Sequence, residues 1–503
     1  MDIGKLYDEL YLLENDSVKD RQYVCHQLIN GEQKINETLL NILKQFGMTD
    51  NKKILDAGSG YGGSILYLVH KMKDCQFVGY TLSRNQFNIS KMLLQDFMNC
   101  SVYLQNYNQL NTAFDVIYAI ESINHSDNLY NTLSNWNLGL NNNGIVIIID
   151  DFLTKIEKAN DIESFRKNWS FGNIYTLYQF IEIAYNSGFV LADSLCLSAK
   201  FQNHFKSKSN IKNPNHEAYI GSNIRNRLYK DSILGYNALV FVKKSDYKLH
   251  EQQIIDAFDS IYSQKGLKYL RNSFAYDVFC NVLKPKNSSK ILDVACGPGL
   301  LSQALNRYCF NLENYTGIDL SPKAIELTRQ KKSTAGFFCK SIHDMPFYWN
   351  NYFDYVVVLG VFERLYYRNA CFLHIRRILK DNGKCLIMVR NSESKWWQEQ
   401  YQKWEPENSK EGAYSVNEFK TMIEANLFEV EKIYPDLHFF PEKTDFEKVK
   451  SDSKEIIFII RKSSVSNITQ KSNTSKYFVR DFIKKILYGI PRILRKVVYT
   501  FFR

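Results

Sequence analysis

"KILDAGSGYGG", Lys53 to Gly63, is an apolar strand running into a turn built on Gly58, Gly60 and Gly62. Glycines in that pattern after Asp56 let the chain bend sharply and let a ligand approach the backbone with no Cβ in the way. The helix expected from Gly63 then offers its amide end to an anionic group. A turn of this kind also occurs as plain scaffold. What decides the reading is that it occurs twice. "KILDVACGPGL", Lys290 to Leu300, repeats the form with Asp293, Gly297 and Gly299, and with Ala295 in place of the first glycine.

Three further landmarks recur in the same order. "FVGYTLS" matches "YTGIDLS", "FDVIYAIES" matches "FDYVVVLGVFE", and "LNNNGIVIII" matches "LKDNGKCLIMV". The separations are 237 residues from Asp56 to Asp293, 238 from Gly79 to Gly317, 239 from Phe114 to Phe353 and 239 from Gly144 to Gly383. So small a drift means two copies of one domain. The charged stretch "KKSDYKLHEQQ", Lys243 to Gln253, reads as the joint. Within each copy, short apolar runs alternate with helical-period stretches, the mark of βα units and a mostly parallel sheet covered by helices. Each copy closes on an antiparallel-looking pair, "GFVLADSLCLS" with "GYNALVFVKK" and "LFEVEKIYPDL" with "KEIIFIIRK". The expected fold is α/β, two Rossmann-like doubly wound domains in tandem over 1–244 and 245–462, then a flexible linker over 463–475 and a tail over 476–503.

At 503 residues the chain is too long for one core, and 45% apolar with 23% charged residues is ordinary for a soluble protein. The N-terminus carries no basic start followed by an apolar run, and no stretch reaches membrane-spanning length, so a cytoplasmic setting is expected. The ten cysteines form no CxxC pair, which argues against a zinc site and against a disulfide framework. The net charge is +11, but Lys476 to Arg503 holds eight Lys/Arg and one Asp, which is +7, and leaves +4 for the rest. The two domains are nearly balanced, so no nucleic-acid partner is expected of them.

The order of landmarks resembles the class I S-adenosylmethionine-dependent methyltransferases, over nearly all of both copies. The resemblance implies S-adenosyl-L-methionine as cofactor. The glycine turn would hold its methionine part, the acid ending strand two its ribose, and the residue after strand three its adenine amine. Carried over, these are Asp56, Gly58, Gly60 and Gly62 in the first copy, and Asp293, Gly297, Gly299 and Asp319 in the second. Ser341 stands where an adenine-binding acid is often found. The first copy has Thr81 where the second has Asp319. "G-x-T-L-S" with Gln86 just inside the next helix resembles the branch of cyclopropane fatty-acid synthases and sterol and terpenoid C-methyltransferases. A threonine hydroxyl can still bond a ribose hydroxyl, without charge assistance. A resemblance to tandem phosphoethanolamine methyltransferases exists at the level of two cofactor domains in one chain, and Thr81 argues against it.

Methyl transfer from a sulfonium needs the reactants held in line and water excluded. An O or N acceptor can also need a base, and an alkene acceptor needs aromatic faces or a carboxylate near the developing cation. "AIESINHSDN" places Glu121 and His125 at the carboxyl edge of the sheet, where ligands of such folds bind. Glu121 reads as catalytic or as a helix cap, and His125 as catalytic or as a solvated loop histidine. In the second copy Glu363 aligns near Glu121, and Arg364, which cannot act as a base, replaces the histidine. Arg364 suits an anionic substrate or a surface ion pair, so the copies are expected to differ in reaction, or one to be a degenerate binding module. Aromatic clusters follow strand five in both copies. "FRKNWSFGNIYTLYQF" (Phe165 to Phe180) and "KWWQEQYQKW" (Lys395 to Trp404) read as substrate lids. Trp396, Trp397, Tyr401 and Trp404 read equally as pocket wall or core. These point to an apolar or amphipathic small-molecule acceptor.

From Val479 to Val498 the tail places apolar residues on one helical face and most of its basic residues elsewhere, with Pro491 to kink it. A basic amphipathic helix suits the surface of an anionic membrane, which makes the protein peripheral on the inner face. A helix docked on a domain and a nucleic-acid tail are the other readings.

Overall fold

The protein is described by a computed structural model over residues 3–13, 34–155, 160–198, 217–265, 274–330, 333–403, 412–435 and 452–463. It divides into two compact units with the boundary between Lys244 and Ser245.

The first unit holds β1 (Lys53–Ala57), β2 (Gln76–Thr81), β3 (Cys100–Leu104), β4 (Phe114–Ile120), β5 (Leu140–Leu153), β6 (Phe189–Cys196) and β7 (Leu234–Lys243). Its seven-stranded sheet has the order β3-β2-β1-β4-β5-β7-β6. The first five strands pair in parallel, and β7 runs antiparallel to β5. The second unit repeats this with β8 (Ile291–Val294), β9 (Tyr315–Asp319), β10 (Gly336–Cys339), β11 (Phe353–Leu359), β12 (Leu379–Arg390), β13 (Phe428–Pro435) and β14 (Glu455–Lys462), in the order β10-β9-β8-β11-β12-β14-β13. There β14 lies antiparallel to both β12 and β13, the closing pair expected from the sequence.

Helices cover both faces of a parallel sheet, so its central strands carry unbroken apolar runs rather than alternation. Val116, Ile117, Tyr118 and Ala119 of β4 are fully buried, as are Val356, Val357 and Val358 of β11. Each such aliphatic side chain stabilises the fold by roughly 1.5–3 kcal/mol. In each sheet the strand order turns between the first and fourth strands. That opens a crevice at their carboxyl ends, beside the glycine turn.

The stretch read as a joint is a structured element. Lys244–Lys265 is one helix of 22 residues, and from Ser245 it belongs to the second unit. It matches the helix Ile3–Leu13 of the first unit in a specific way. Asp8 accepts hydrogen bonds from Ser83 Oγ and from the Asn85 amide (3.0 Å), at the start of the helix after β2. Asp259 accepts from Ser321 Oγ and from the Lys323 amide (3.3 Å) at the equivalent place. The repeat therefore extends back to Tyr7-Asp8 and Phe258-Asp259.

The tail from 476 to 503 and all but the first residue of the linker lie outside the described residues. Among the described residues no helix is long and apolar enough to cross a membrane, and no group of His, Cys, Asp or Glu could hold a metal ion.

Candidate functional site

In the first unit the glycines of the turn stand in different surroundings. A Cβ on Gly58 would lie 2.5 Å from that of Ser122, so this glycine lets β1 and the loop after β4 touch. Gly60, at φ +53°, has open space on its Cβ side, where the nearest atom is Gln86 Nε2 at 3.9 Å. Gly62 caps the helix Gly63–Val69. Thr81 and Gln86, two marks of one branch in the sequence, are bonded to each other: Thr81 Oγ1 donates to Gln86 Oε1 at 2.8 Å. That bond turns the Gln86 amide nitrogen toward Gly60 and its open side. Asp56 is buried. It accepts from the Tyr118 hydroxyl at 2.9 Å, and burial holds its carboxyl up at about 7.

Beyond the cofactor side, the crevice is lined by acids and aromatics. Glu121 is a non-glycine residue at φ 50°, a conformation that persists only when its surroundings enforce it. They do. Its carboxylate pairs with Arg225 (3.1 Å) and accepts from the Tyr236 hydroxyl (3.0 Å). Arg225 also contacts Asp151 at 2.7 Å, and Asp151 accepts from Tyr229. Burial works against the guanidinium charge, but Asp151 and Glu121 outweigh it and keep Arg225 fully protonated. Glu121 is therefore no helix cap.

His125 is buried, not solvated. Its Nε2 lies 2.9 Å from the Tyr7 hydroxyl, and its ring packs edge-on against Phe171. Beside it, Asp150 accepts from Asn124 Nδ2 and from the Asp151 amide, both at 2.8 Å through Oδ1. Asp150 Oδ2 is buried and makes no hydrogen bond. Burial, and then the charge of Asp151, push the Asp150 carboxyl well above the usual range, toward its neutral form. Tyr7, Glu121, Asp150, Asp151 and Arg225 share a small hollow with Phe165, Trp169 and Phe171. Its volume is about 20 Å³, room for a water molecule rather than a larger ligand.

Sequence reasoning found Glu121, His125 and the aromatic stretch, and it missed Tyr7, Asp150, Asp151, Arg225 and Tyr236. The acid pair at the end of β5 and Arg225 with Tyr229, four apart on one helix face, were the available signals.

The second unit holds a cavity of about 220 Å³. Ala295, Asp319, Ser341 and Gly360 form its sheet-side wall, and Tyr247, Glu251, Phe258 and Tyr262 of the helix Lys244–Lys265 face them. Asp319 accepts from the amides of Gly297 and Ser321, both at 2.8 Å, so it also shapes the turn. Burial raises its carboxyl above the ordinary value. Each carboxylate oxygen keeps a lone pair for a hydroxyl donor. Gly299 caps the helix Leu300–Arg307. Asp293 bonds the Tyr315 hydroxyl and, like Asp56, is held up at about 7 by burial.

The pairing of Glu363 with Glu121 needs correction. Each loop after the fourth strand holds a single turn, Ile123–His125 and Phe362–Arg364, and the 239-residue offset makes Glu363 the counterpart of Asn124. The counterpart of Glu121 is Gly360, at φ 62°. The Glu363 carboxylate accepts from the Arg390 amide, away from the cavity wall. Trp396 and Trp397 do not line the cavity either; Trp396 is 41% exposed, so it is neither wall nor core. Nothing is described of the Tyr401 side chain, and Trp404 lies outside the described residues.

Residues 6–203 match the family model of mycolic acid cyclopropane synthetase, and residues 292–387 match that of a methyltransferase domain. Each half thus joins a doubly wound fold to a family-model match of the kind that class I S-adenosylmethionine-dependent methyltransferase domains give. The first half is similar to the cyclopropane-synthase branch. Among curated proteins, the chain is 32% identical to demethylmenaquinone methyltransferase of Thermotoga maritima over 102 residues, 20% of this chain and 44% of that one. It is 26% identical to (S)-tetrahydroprotoberberine N-methyltransferase of Eschscholzia californica over 130 residues, 24% of this chain and 33% of that one. The chain thus spans less than half the length of the curated relatives it matches. Among solved structures, geranyl diphosphate C-methyltransferase of Streptomyces coelicolor A3(2) superposes with a TM-score of 0.39 at 13% identity, covering 48% of this chain and 96% of that one.

The residues present fit the cofactor of this class. In the first unit Gly60 leaves its ligand side open. In the second, a cavity of about 220 Å³ runs from Val294 and Ala295 at the start of the turn past Asp319 to Ser341.

Proposed function

We propose that the first domain methylates carbon in an apolar, lipid- or isoprenoid-like acceptor, with Glu121 and His125 as its catalytic groups and Tyr7 and Asp150 as their partners. The observation that carries this reading is the hollow itself. Three carboxyl groups, Glu121, Asp150 and Asp151, meet four aromatic rings there, Tyr7, Phe165, Trp169 and Phe171, with Arg225 paired to Glu121 and Asp151. The ring faces, with two carboxylates sharing one guanidinium and a third carboxyl held toward its neutral form, favour a centre that becomes positive during reaction. Gly60, Gly62, Thr81 and Gln86 would hold the cofactor. When bound, it would supply an electrophilic methyl group to an alkene carbon, the new bond taking the π pair and the sulfur keeping the electrons of the broken C–S bond. The adjacent carbon is left positive, and Glu121 and the rings face it. The proton then lost from a neighbouring carbon goes to His125, whose other contacts, Tyr7 and the Ser170 carbonyl, hold the ring in place.

The second domain supports a different role. At each place where the first hollow has an acid or base, it has none. Tyr7 becomes Phe258, Glu121 becomes Gly360, His125 becomes Arg364, Asp150 becomes Val389 and Asp151 becomes Arg390. We read it as a cofactor-binding partner domain that does not repeat the base-assisted reaction, with Gly297, Gly299 and Asp319 as its contacts. The basic tail would hold the protein to an anionic membrane surface, where such an acceptor resides.

The test is a labelled-methyl assay against a lipid and isoprenoid extract, with the product's new bond located by carbon NMR. A C–CH₃ product that disappears in Glu121→Gln supports the reading. Label found only on oxygen or nitrogen overturns it.

A further inference from the structure

The second cavity contains a carboxylate that the cofactor class does not explain. Glu251 lies on the helix Lys244–Lys265 and is 2% exposed. Its Oε2 accepts from Lys248 Nζ at 2.9 Å, and the same ammonium reaches Asp344 at 2.6 Å. Asp344 ends the short turn that follows β10, so Glu251 is fastened at the third-strand end of the cavity. Glu251 lines the cavity, the Tyr247 hydroxyl one turn earlier on the same helix interacts with its carboxylate, and its other oxygen, Oε1, is buried and makes no hydrogen bond within 3.5 Å. A buried carboxylate oxygen left this way is expensive unless a donor arrives. The sheet supplies no acid here. Ser341 occupies the usual place of one, and its Oγ accepts from the His343 amide at 3.2 Å.

We propose that Glu251 receives the adenine amine of the adenosyl ligand in the second domain, a contact made from the helix before the domain rather than from the sheet. The inference rests on reading this domain as a cofactor site. Asp319 then takes the ribose at the end of β9, and the adenine beyond it meets Ile342 and Ser341 on one side and Glu251 on its amine edge. The stretch that looked like a linker in the sequence becomes a specificity element.

The experiment is calorimetric titration of the full-length chain with S-adenosylhomocysteine and with its 6-deamino analogue, which replaces the amine by hydrogen and keeps the ring nitrogens. A charge-assisted bond predicts that one site prefers the amine by roughly 10- to 100-fold. Glu251→Ala should bring that ratio near one, and Glu251→Gln, which keeps the shape and one acceptor, should fall between. The first domain's site, untouched by either change, reports that the chain is folded. A second site whose preference survives in Glu251→Ala overturns the inference while leaving the cofactor reading intact. A wild-type chain with no second site overturns both.

Discussion

The Tyr7 hydroxyl and His125 Nε2 lie 2.9 Å apart, although 118 residues separate them. Tyr7 comes from a helix before the domain proper, and His125 from the loop after β4. The helix thus completes the site as well as covering it. Tyr7→Phe keeps the ring and removes the bond. Methyl transfer is expected to slow about tenfold, chiefly in kcat, with a change in thermal stability of about 1 kcal/mol or less. Radiolabel transfer and a thermal melt on the same preparation check both halves.

Glu121 is held at a left-handed backbone position by Arg225 and Tyr236. Glu121→Gln leaves the tyrosine bond and removes the charge. Activity should fall at least a hundredfold, while cofactor affinity changes little, because the residue lies on the acceptor side. Arg225 keeps Asp151, so the loss in stability is limited to about 1–3 kcal/mol. A variant with normal turnover would place the chemistry elsewhere.

Gly60→Val tests the cofactor turn. The position needs φ +53° and borders open space, so a branched side chain both strains the turn and fills the ligand's path. Calorimetry with S-adenosylhomocysteine should show one site where the wild type shows two. Two sites in the variant would mean that Gly60 serves the turn alone.

Asp56 and Asp293 carry a pH signature. Burial raises both carboxyls to about 7 in the fold, against about 3.9 in the unfolded chain. Between those values the native state binds the extra proton, so stability falls as pH rises, by up to about 1.4 kcal/mol per unit for each group. Asp56→Asn keeps an acceptor for Tyr118 and has no charge to bury. Its denaturation midpoint should match the wild type near pH 4 and exceed it near pH 7.5. An equal shift at both pH values would show that Asp56 does not titrate in this range.

Removal of Lys476 to Arg503 should release the protein from anionic vesicles and leave both cofactor sites intact. Co-sedimentation, with added salt weakening but not abolishing the attachment of the intact chain, checks the anchor.

Sequence alone determined a good deal here. Two copies of an α/β domain, a mostly parallel sheet with an antiparallel closing pair, and the glycine turns were all legible. These depend on local and near-local chemistry: apolar runs that must be buried on both faces, and a turn that only glycines satisfy. Thr81 and Gln86 were readable as a branch mark only through a family resemblance. The constant 239-residue offset already put Gly360, not Glu363, in the place of Glu121, against the pairing of two acids by residue type, and the structure added a left-handed backbone at both positions. The tertiary structure decided what depends on contacts across long separations. It brought Arg225, Tyr236 and Asp151 to Glu121 from distant elements. It also turned "KKSDYKLHEQQ" from a charged joint into a cavity wall, since a charged helix shows its buried face only once something packs against it. Charge and periodicity report a residue's preferences; which buried carboxylate is left facing a cavity is settled only when the chain has closed around it.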